Sequence, residues 1–293
     1  MSGSAPAVVV TGATGFIGSA LCRELLRRGV LVLGVGRSAD PGVPGMAFQR
    51  VRAYDELAAM PGARCVHLAG SNRLPGDSSL VRPELAEAVG MLRHLLTSGF
   101  ARVVVASSAL VYGDALPRPR REEEPLAPAG AYARMKAEVE QVALAQGAVV
   151  ARFSNVYGPG LPANTVLADI VQQLPGTGPI LVRDAAPVRD YLHVTDAARG
   201  LADLALAPGE AGGVWNLGTG TGTSVEALAR WCTRLAGEPD RRIEATHPSG
   251  RRSTVIVDPG KLTARTGWRP QRALPDGLEE LLRHRQQPAS LRA

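Results

Sequence analysis

Cysteine is scarce in this 293-residue chain, and the three that occur, Cys22, Cys65 and Cys232, stand far apart in apolar stretches. With no C-x-x-C and no His/Cys cluster, neither a disulfide framework nor a metal site is expected, and the thiols read as buried groups of a reducing compartment. No apolar run approaches membrane-spanning length, and Met1–Pro6 are too short and polar for a secretory leader, so the expectation is a soluble, cytoplasmic protein with no membrane partner. Aromatic residues make up only 4% of the chain. The net charge of +6 and pI near 9.7 come from dispersed arginines, which fit anionic small molecules and give no sign of a nucleic-acid surface. Arg118–Arg121 and Arg241-Arg242 sit in proline-rich or loop-like contexts and read as solvated surface.

What is present is a rhythm. Apolar runs at Val8–Val10, Val30–Val35, Cys65–Ala69 and Val103–Ala106 alternate with helical patterns over Ile17–Arg28 and about Leu80–Leu96. A weaker strand is expected near Phe48–Val51, a helix over Ala131–Gln146 and a strand over Ala148–Phe153. Strands apolar on both faces belong to a parallel sheet covered by helices, so the fold class is α/β, a Rossmann-type doubly wound parallel sheet with a smaller C-terminal mixed α/β lobe. The expected division is 1–155, with 190–207 returning to it, for the nucleotide-binding part, and 156–189 with 208–293 for the smaller lobe.

Between the first strand and the first helix stands Thr11-Gly12-Ala13-Thr14-Gly15-Phe16-Ile17-Gly18. Gly12 allows a tight turn, Gly15 lets backbone N–H groups approach phosphates, and Gly18 lets helix and strand pack closely, with the helix N-terminus facing the anion. Further on, Tyr132 and Lys136 are four apart on a helix and share a face. A phenol in water titrates near pH 10, and a neighbouring ammonium is expected to lower that value toward useful proton exchange. Ser107-Ser108 closes a strand at the sheet edge where active-site groups collect, and Ser108 there is either a carbonyl ligand or a turn cap.

Taken together, these stretches resemble the extended short-chain dehydrogenase/reductase family, in particular its NAD-dependent sugar-nucleotide epimerases, dehydratases and 4-ketoreductases. Matching segments are Thr11–Gly18, His67–Gly70, Ser107–Gly113, Tyr132–Lys136, Arg152–Gly160, Arg189–Asp196, Asn216–Gly218 and Gly267–Pro270. The resemblance implies Ser108, Tyr132 and Lys136 as the catalytic group, with Ser108 orienting a carbonyl, Tyr132 moving the proton and Lys136 holding the nicotinamide ribose. It implies cofactor binding by Gly12, Thr14, Gly15, Phe16, Ile17, Gly18, Leu68, Ala69 and Gly70 together with Tyr132 and Lys136. Substrate binding falls to Ser108, Asn155 and Arg189, and a homodimer paired through the tyrosine helix is typical.

Departures from the family pattern sharpen the reading. At the end of the second strand, where NAD-specific members carry an acid, stand Gly36 and Arg37, and an arginine there pairs with a 2′-phosphate, favouring NADP(H) with NAD(H) still open. His247 occupies the place of an arginine that binds the substrate's diphosphate, with Arg251 or Arg252 as substitutes. Glu87 replaces an asparagine that supports the lysine, and Ala109-Leu110 replace the acid pair that a dehydratase needs. The expected activity is therefore NADPH-dependent reduction of a nucleoside-diphosphate 4-keto-6-deoxy sugar in a deoxysugar or natural-product pathway. The alternatives are an NAD-dependent nucleotide-sugar 4-epimerase and an NADPH-dependent reductase of a non-nucleotide, polyketide-like ketone.

Overall fold

The structure, a computed structural model, describes residues 7–58, 60–70, 81–209 and 212–286. The Met1–Pro6 segment and Leu80, the expected start of a helix, lie outside the described residues. Strand β1 (Val8–Thr11) is buried at all four positions, as a strand covered on both faces must be. It is followed by α1 (Phe16–Arg27), β2 (Val32–Gly36), β3 (Ala47–Arg50), β4 (Arg64–His67), α2 (Val81–Thr97), β5 (Arg102–Ser108), α3 (Ala131–Ala145) and β6 (Val149–Phe153). These strands, with β10 (Gly213–Leu217), form one seven-stranded sheet in the order β10-β6-β5-β4-β1-β2-β3, parallel throughout. The chain leaves β1 toward β2 on one side and toward β4 on the other, so a crevice opens at the carboxyl ends of the strands where the order reverses.

Helices cover both faces. On one, α1 buries Leu21, Cys22 and Leu25 against α5 (Val194–Leu206), whose Ala197, Leu201 and Leu204 are buried in the same cluster. On the other, α2 and α3 close over Val9, Val105 and Val150. A separate apolar cluster joins α4 (Val166–Gln173), β8 (Ile180–Val182), α6 (Val225–Leu235) and α8 (Leu274–Gln286). Beside it run β7 (Asn155–Tyr157), β9 (Val188–His193), β11 (Gly222–Ser224) and β13 (Thr254–Val255), with β9 at the centre, while β12 (Ile243–Ala245) pairs with β8.

The expected boundary at 208 does not coincide with this layering. Gly213–Leu217 pairs along the whole of β6 as the seventh strand, and Leu262 of α7 (Gly260–Thr266) and Trp268 are buried in the first cluster. An open edge of β6 admits any returning strand of matching length, and the crossover through α5 supplies it. The arginine cluster also differs from expectation. Arg120 is 6% exposed, its guanidinium donating to Glu124 at 2.7 Å and to the Tyr112 carbonyl at 2.8 Å. Arg241 likewise turns inward to the carbonyls of Gln173, Leu174 and Gly178.

Candidate active site

The turn between β1 and α1 is fixed by close backbone approach. Gly12 has φ +71°, and a Cβ on it would lie 2.8 Å from the Ala69 nitrogen; one on Gly18 would lie 2.1 Å from the Gly12 carbonyl oxygen. Leu68 donates its N–H to the Thr11 carbonyl at 3.1 Å, which seats Leu68, Ala69 and Gly70 against the turn. Ile17 packs into the core, and Phe16 reaches toward Gly160 in the loop after β7. The N-terminus of α1 has no side-chain cap and no acid in its first turn. Its first N–H groups and positive dipole end thus remain for an anion, so the residues present fit a dinucleotide pyrophosphate.

At the outer end of this crevice, Gly36 closes β2. A Cβ there would meet the Thr14 Cγ2 at 3.0 Å, so Thr14 occupies the space that a larger residue at position 36 would need. Arg37 follows, and Arg50 from the end of β3 donates to the Arg37 carbonyl at 3.2 Å. The Arg37 guanidinium lies 3.7 Å from Glu87 of α2, both well exposed. Glu87, expected beside the lysine, thus pairs with the arginine at the other end of the crevice.

Ser108 ends β5 and caps the following short turn, its hydroxyl oxygen accepting the Leu110 N–H at 3.2 Å. Among the described residues its own O–H has no acceptor, so cap and carbonyl donor are compatible roles. On α3, the Lys136 ammonium lies 5.8 Å from the Tyr132 ring centre and donates to the Ala106 carbonyl at 3.1 Å, two residues before Ser108. Burial pushes Lys136 down to about 8, against the Glu140 charge that holds it up. Burial pushes the Tyr132 phenol up to about 12, and the lowering expected from Lys136 does not offset it. Next to them His67 pairs with the Thr11 hydroxyl at 2.7 Å, and burial, then the Lys136 charge, push it down to about 3, so it is neutral.

Behind this edge lies a polar network that the sequence reading missed. Glu140, one turn beyond Lys136, is bound by Arg152 of β6 through Nε at 3.0 Å and Nη2 at 2.6 Å, and accepts the Ser107 hydroxyl. The Arg152 guanidinium lies 4.6 Å over the Tyr112 ring, whose hydroxyl donates to Asn216 at 2.9 Å. The available signal was a charged residue inside the apolar strand Ala148–Phe153.

The substrate-side candidates come together only in part. Asn155 opens β7 in register with Tyr191, two residues beyond Arg189 on β9. Arg189 donates to the Ser253 carbonyl at 3.0 Å and hydroxyl at 2.9 Å, and burial pushes it below its ordinary value. Asp114 accepts Ser253 at 2.6 Å and takes Arg251 in a two-pronged pair at 2.9 and 2.8 Å. Arg251 therefore already has a carboxylate partner. His247 is exposed, its ring against the Thr246 hydroxyl and its N–H on the Arg183 carbonyl, bonded to none of these groups. A cavity of about 240 Å³ lies beside this cluster, with Tyr112, Asp114, Arg120 and Leu126 in its wall.

A glycine-turn dinucleotide crevice with a serine, a tyrosine and a lysine at its carboxyl edge defines an NAD(P)-dependent enzyme of the extended short-chain dehydrogenase/reductase type. Residues 8–218 match the NAD dependent epimerase/dehydratase family, and the chain belongs to it. It is 29% identical to a UDP-glucose 4-epimerase of Azospirillum brasilense over 94% of this chain and 90% of that one. It is 30% identical to a dTDP-glucose 4,6-dehydratase of an Actinoplanes species (93% and 95%). It is 29% identical to a dTDP-6-deoxy-L-talose 4-dehydrogenase (NAD(P)(+)) of Kitasatospora kifunensis (95% and 95%). Among solved structures, MoeE5 in complex with UDP-glucuronic acid and NAD superposes with a TM-score of 0.82 at 28% identity, covering 94% of this chain and 97% of that one. TunA, an NAD dependent NDP-hexosamine 5,6-dehydratase, gives 0.84 at 26% identity, covering 98% and 100%. Among the described residues no helix is long and apolar enough to cross a membrane, and no His/Cys/Asp/Glu group could hold a metal ion.

Proposed function

We propose that this protein reduces the 4-keto group of a nucleoside-diphosphate 4-keto-6-deoxy sugar with NADPH. The observation that carries the reading is the end of β2, where Gly36, packed closely against Thr14, puts no acid and Arg37 offers a guanidinium to a 2′-phosphate. The arginine's long, exposed pair with Glu87 is weak enough to exchange for a phosphate. Net reduction needs a cofactor that leaves after each turnover, and the Kitasatospora relative is named for NAD(P)-linked chemistry at C4.

In this reading the first turn of α1 and the Gly12–Gly18 segment hold the pyrophosphate, Arg37 the 2′-phosphate, and Lys136 with Tyr132 the nicotinamide ribose. The bound cofactor supplies the hydride. Ser108 donates its O–H to the sugar carbonyl and keeps it near the phenol. Tyr132, protonated throughout the neutral range, releases its proton to the oxygen as negative charge develops there. Ala109, 1% exposed, and Leu110 put no carboxylate beside Ser108, which disfavours elimination of water. Asn155 and Arg189 line the side where the diphosphate would lie.

The test is NADPH oxidation followed with 4-keto nucleotide sugars on the purified protein, with its retained cofactor identified. NADPH consumption matched to alcohol formation supports the reading, and turnover in Tyr132→Phe should fall by about 10²–10⁴-fold with cofactor binding retained. A second reading, a 4-epimerase, is favoured by the relatives named for that activity. Tightly retained NAD with C4 inversion and no net oxidation would select it.

A further inference from the structure

Of the 33 basic side chains in this protein only Lys136 and Lys261 are lysines. A lysine differs from an arginine in that its charge can be shifted by its surroundings, so the residue on the catalytic face of α3 is one whose charge has to be maintained. The groups around it can be enumerated. From α3 come Tyr132 and Glu140, from β4 the neutral His67 with the Thr11 hydroxyl of β1 behind it, from β5 the Ala106 carbonyl and Ser107, and from β6 Arg152 on the far side of Glu140. Glu140 is the one acidic group in this set.

Its placement is over-determined. Ser107 and Arg152 are paired in register across β5 and β6, and both bind the Glu140 carboxylate, whose side chain is 2% exposed. Glu140 thereby ties the middle of α3 to β5, whose end carries Ser108, and to the neighbouring β6, and fixes the turn on which Lys136 sits. We propose that Glu140, pinned by Arg152 and Ser107, is a positioning residue that keeps Lys136 charged and aimed at the cofactor's ribose hydroxyls. This rests on the reading that Lys136 holds that ribose. Burial already drives Lys136 toward releasing its proton near neutrality, and without the carboxylate nothing acidic opposes it.

Two lysines make the test direct. In protein labelled with ¹³C-lysine, the two ε-carbon signals are assigned with Lys261→Arg and titrated. Glu140→Gln should move the Lys136 midpoint down by about one pH unit or more and leave Lys261 in place. Affinity for NADP(H) at pH 8 should fall several-fold, whereas affinity for adenosine 2′,5′-bisphosphate, which lacks the nicotinamide ribose, should not change. Because Glu140→Gln leaves a buried guanidinium unpaired, the doubly neutral Glu140→Gln/Arg152→Gln protein is titrated alongside, with a smaller downward shift expected since the guanidinium's repulsion is removed as well. An unmoved Lys136 midpoint in either folded variant overturns the proposal. Normal turnover in Tyr132→Phe would instead remove the catalytic reading and leave the lysine titration to be judged separately.

Discussion

Two arginine–carboxylate pairs flank the catalytic edge, each two-pronged and each close to 2.6–3.0 Å, yet they sit in opposite surroundings. Arg152–Glu140 is almost dry, with side chains 4% and 2% exposed, whereas Arg251–Asp114 has its arginine 63% exposed. Equal geometry therefore does not mean equal consequence. A dry pair must stay matched because either partner alone is an uncompensated charge, while a wet pair can open to water or exchange for a ligand phosphate at small cost. One fixes the helix that bears Tyr132 and Lys136; the other leaves the proposed substrate side adjustable.

The sharpest way to break this contrast is Arg152→Met, which strands the Glu140 carboxylate among Ser107 and Tyr112. A loss of about 3–5 kcal/mol in urea unfolding is expected. A loss below 1 kcal/mol would make the two pairs equivalent. The third pair, Arg37–Glu87, is long and exposed, and its importance lies in the 2′-phosphate proposed for Arg37. Arg37→Asp should weaken NADPH by about 1–3 kcal/mol more than NADH in parallel titrations. Equal weakening of both cofactors would reject the 2′-phosphate assignment.

The smallest expected effect is that of Arg251→Ala, a barely resolvable change in the urea midpoint at neutral pH. Its signature is in the acid limb. Arg251 holds the Asp114 carboxyl below its ordinary value, helped by Ser253 and opposed by partial burial. A depressed acid contributes stability above its unfolded value, and that contribution is lost as pH falls through the folded one. Unfolding free energy measured from pH 6 downward should thus fall less steeply in the variant, and parallel curves would show that the pair contributes nothing.

The same difference between dry and wet governs how much could be read from the sequence. The sheet was legible because strands such as Val8–Thr11 and Val103–Ala106 are apolar on both faces, and the crevice because Gly12, Gly15 and Gly18 have few other reasons to be spaced as they are. Tyr132 and Lys136 were legible because helical phase alone puts them on one face. Glu140 shares that phase, but its partners come from two strands, and strand register across a sheet is not written in local spacing. Arg120 was misread as surface because a proline-rich context says nothing of the Tyr112 carbonyl and Glu124 that receive it. The seventh strand was misplaced because its partner β6 lies some sixty residues earlier, beyond the reach of any periodicity.

Tyr132, Lys136 and Glu140 recur every four residues along α3, and this has a consequence for how the protein can vary. Substituting the outward-facing residues of that helix changes a surface and nothing else. Inserting or deleting a single residue between Tyr132 and Glu140 would rotate one end by about 100° relative to the other, separating phenol, amine and carboxylate in one event. Point replacements at the exposed positions of this helix can be tolerated singly, but its length between those three residues is inherited as a block.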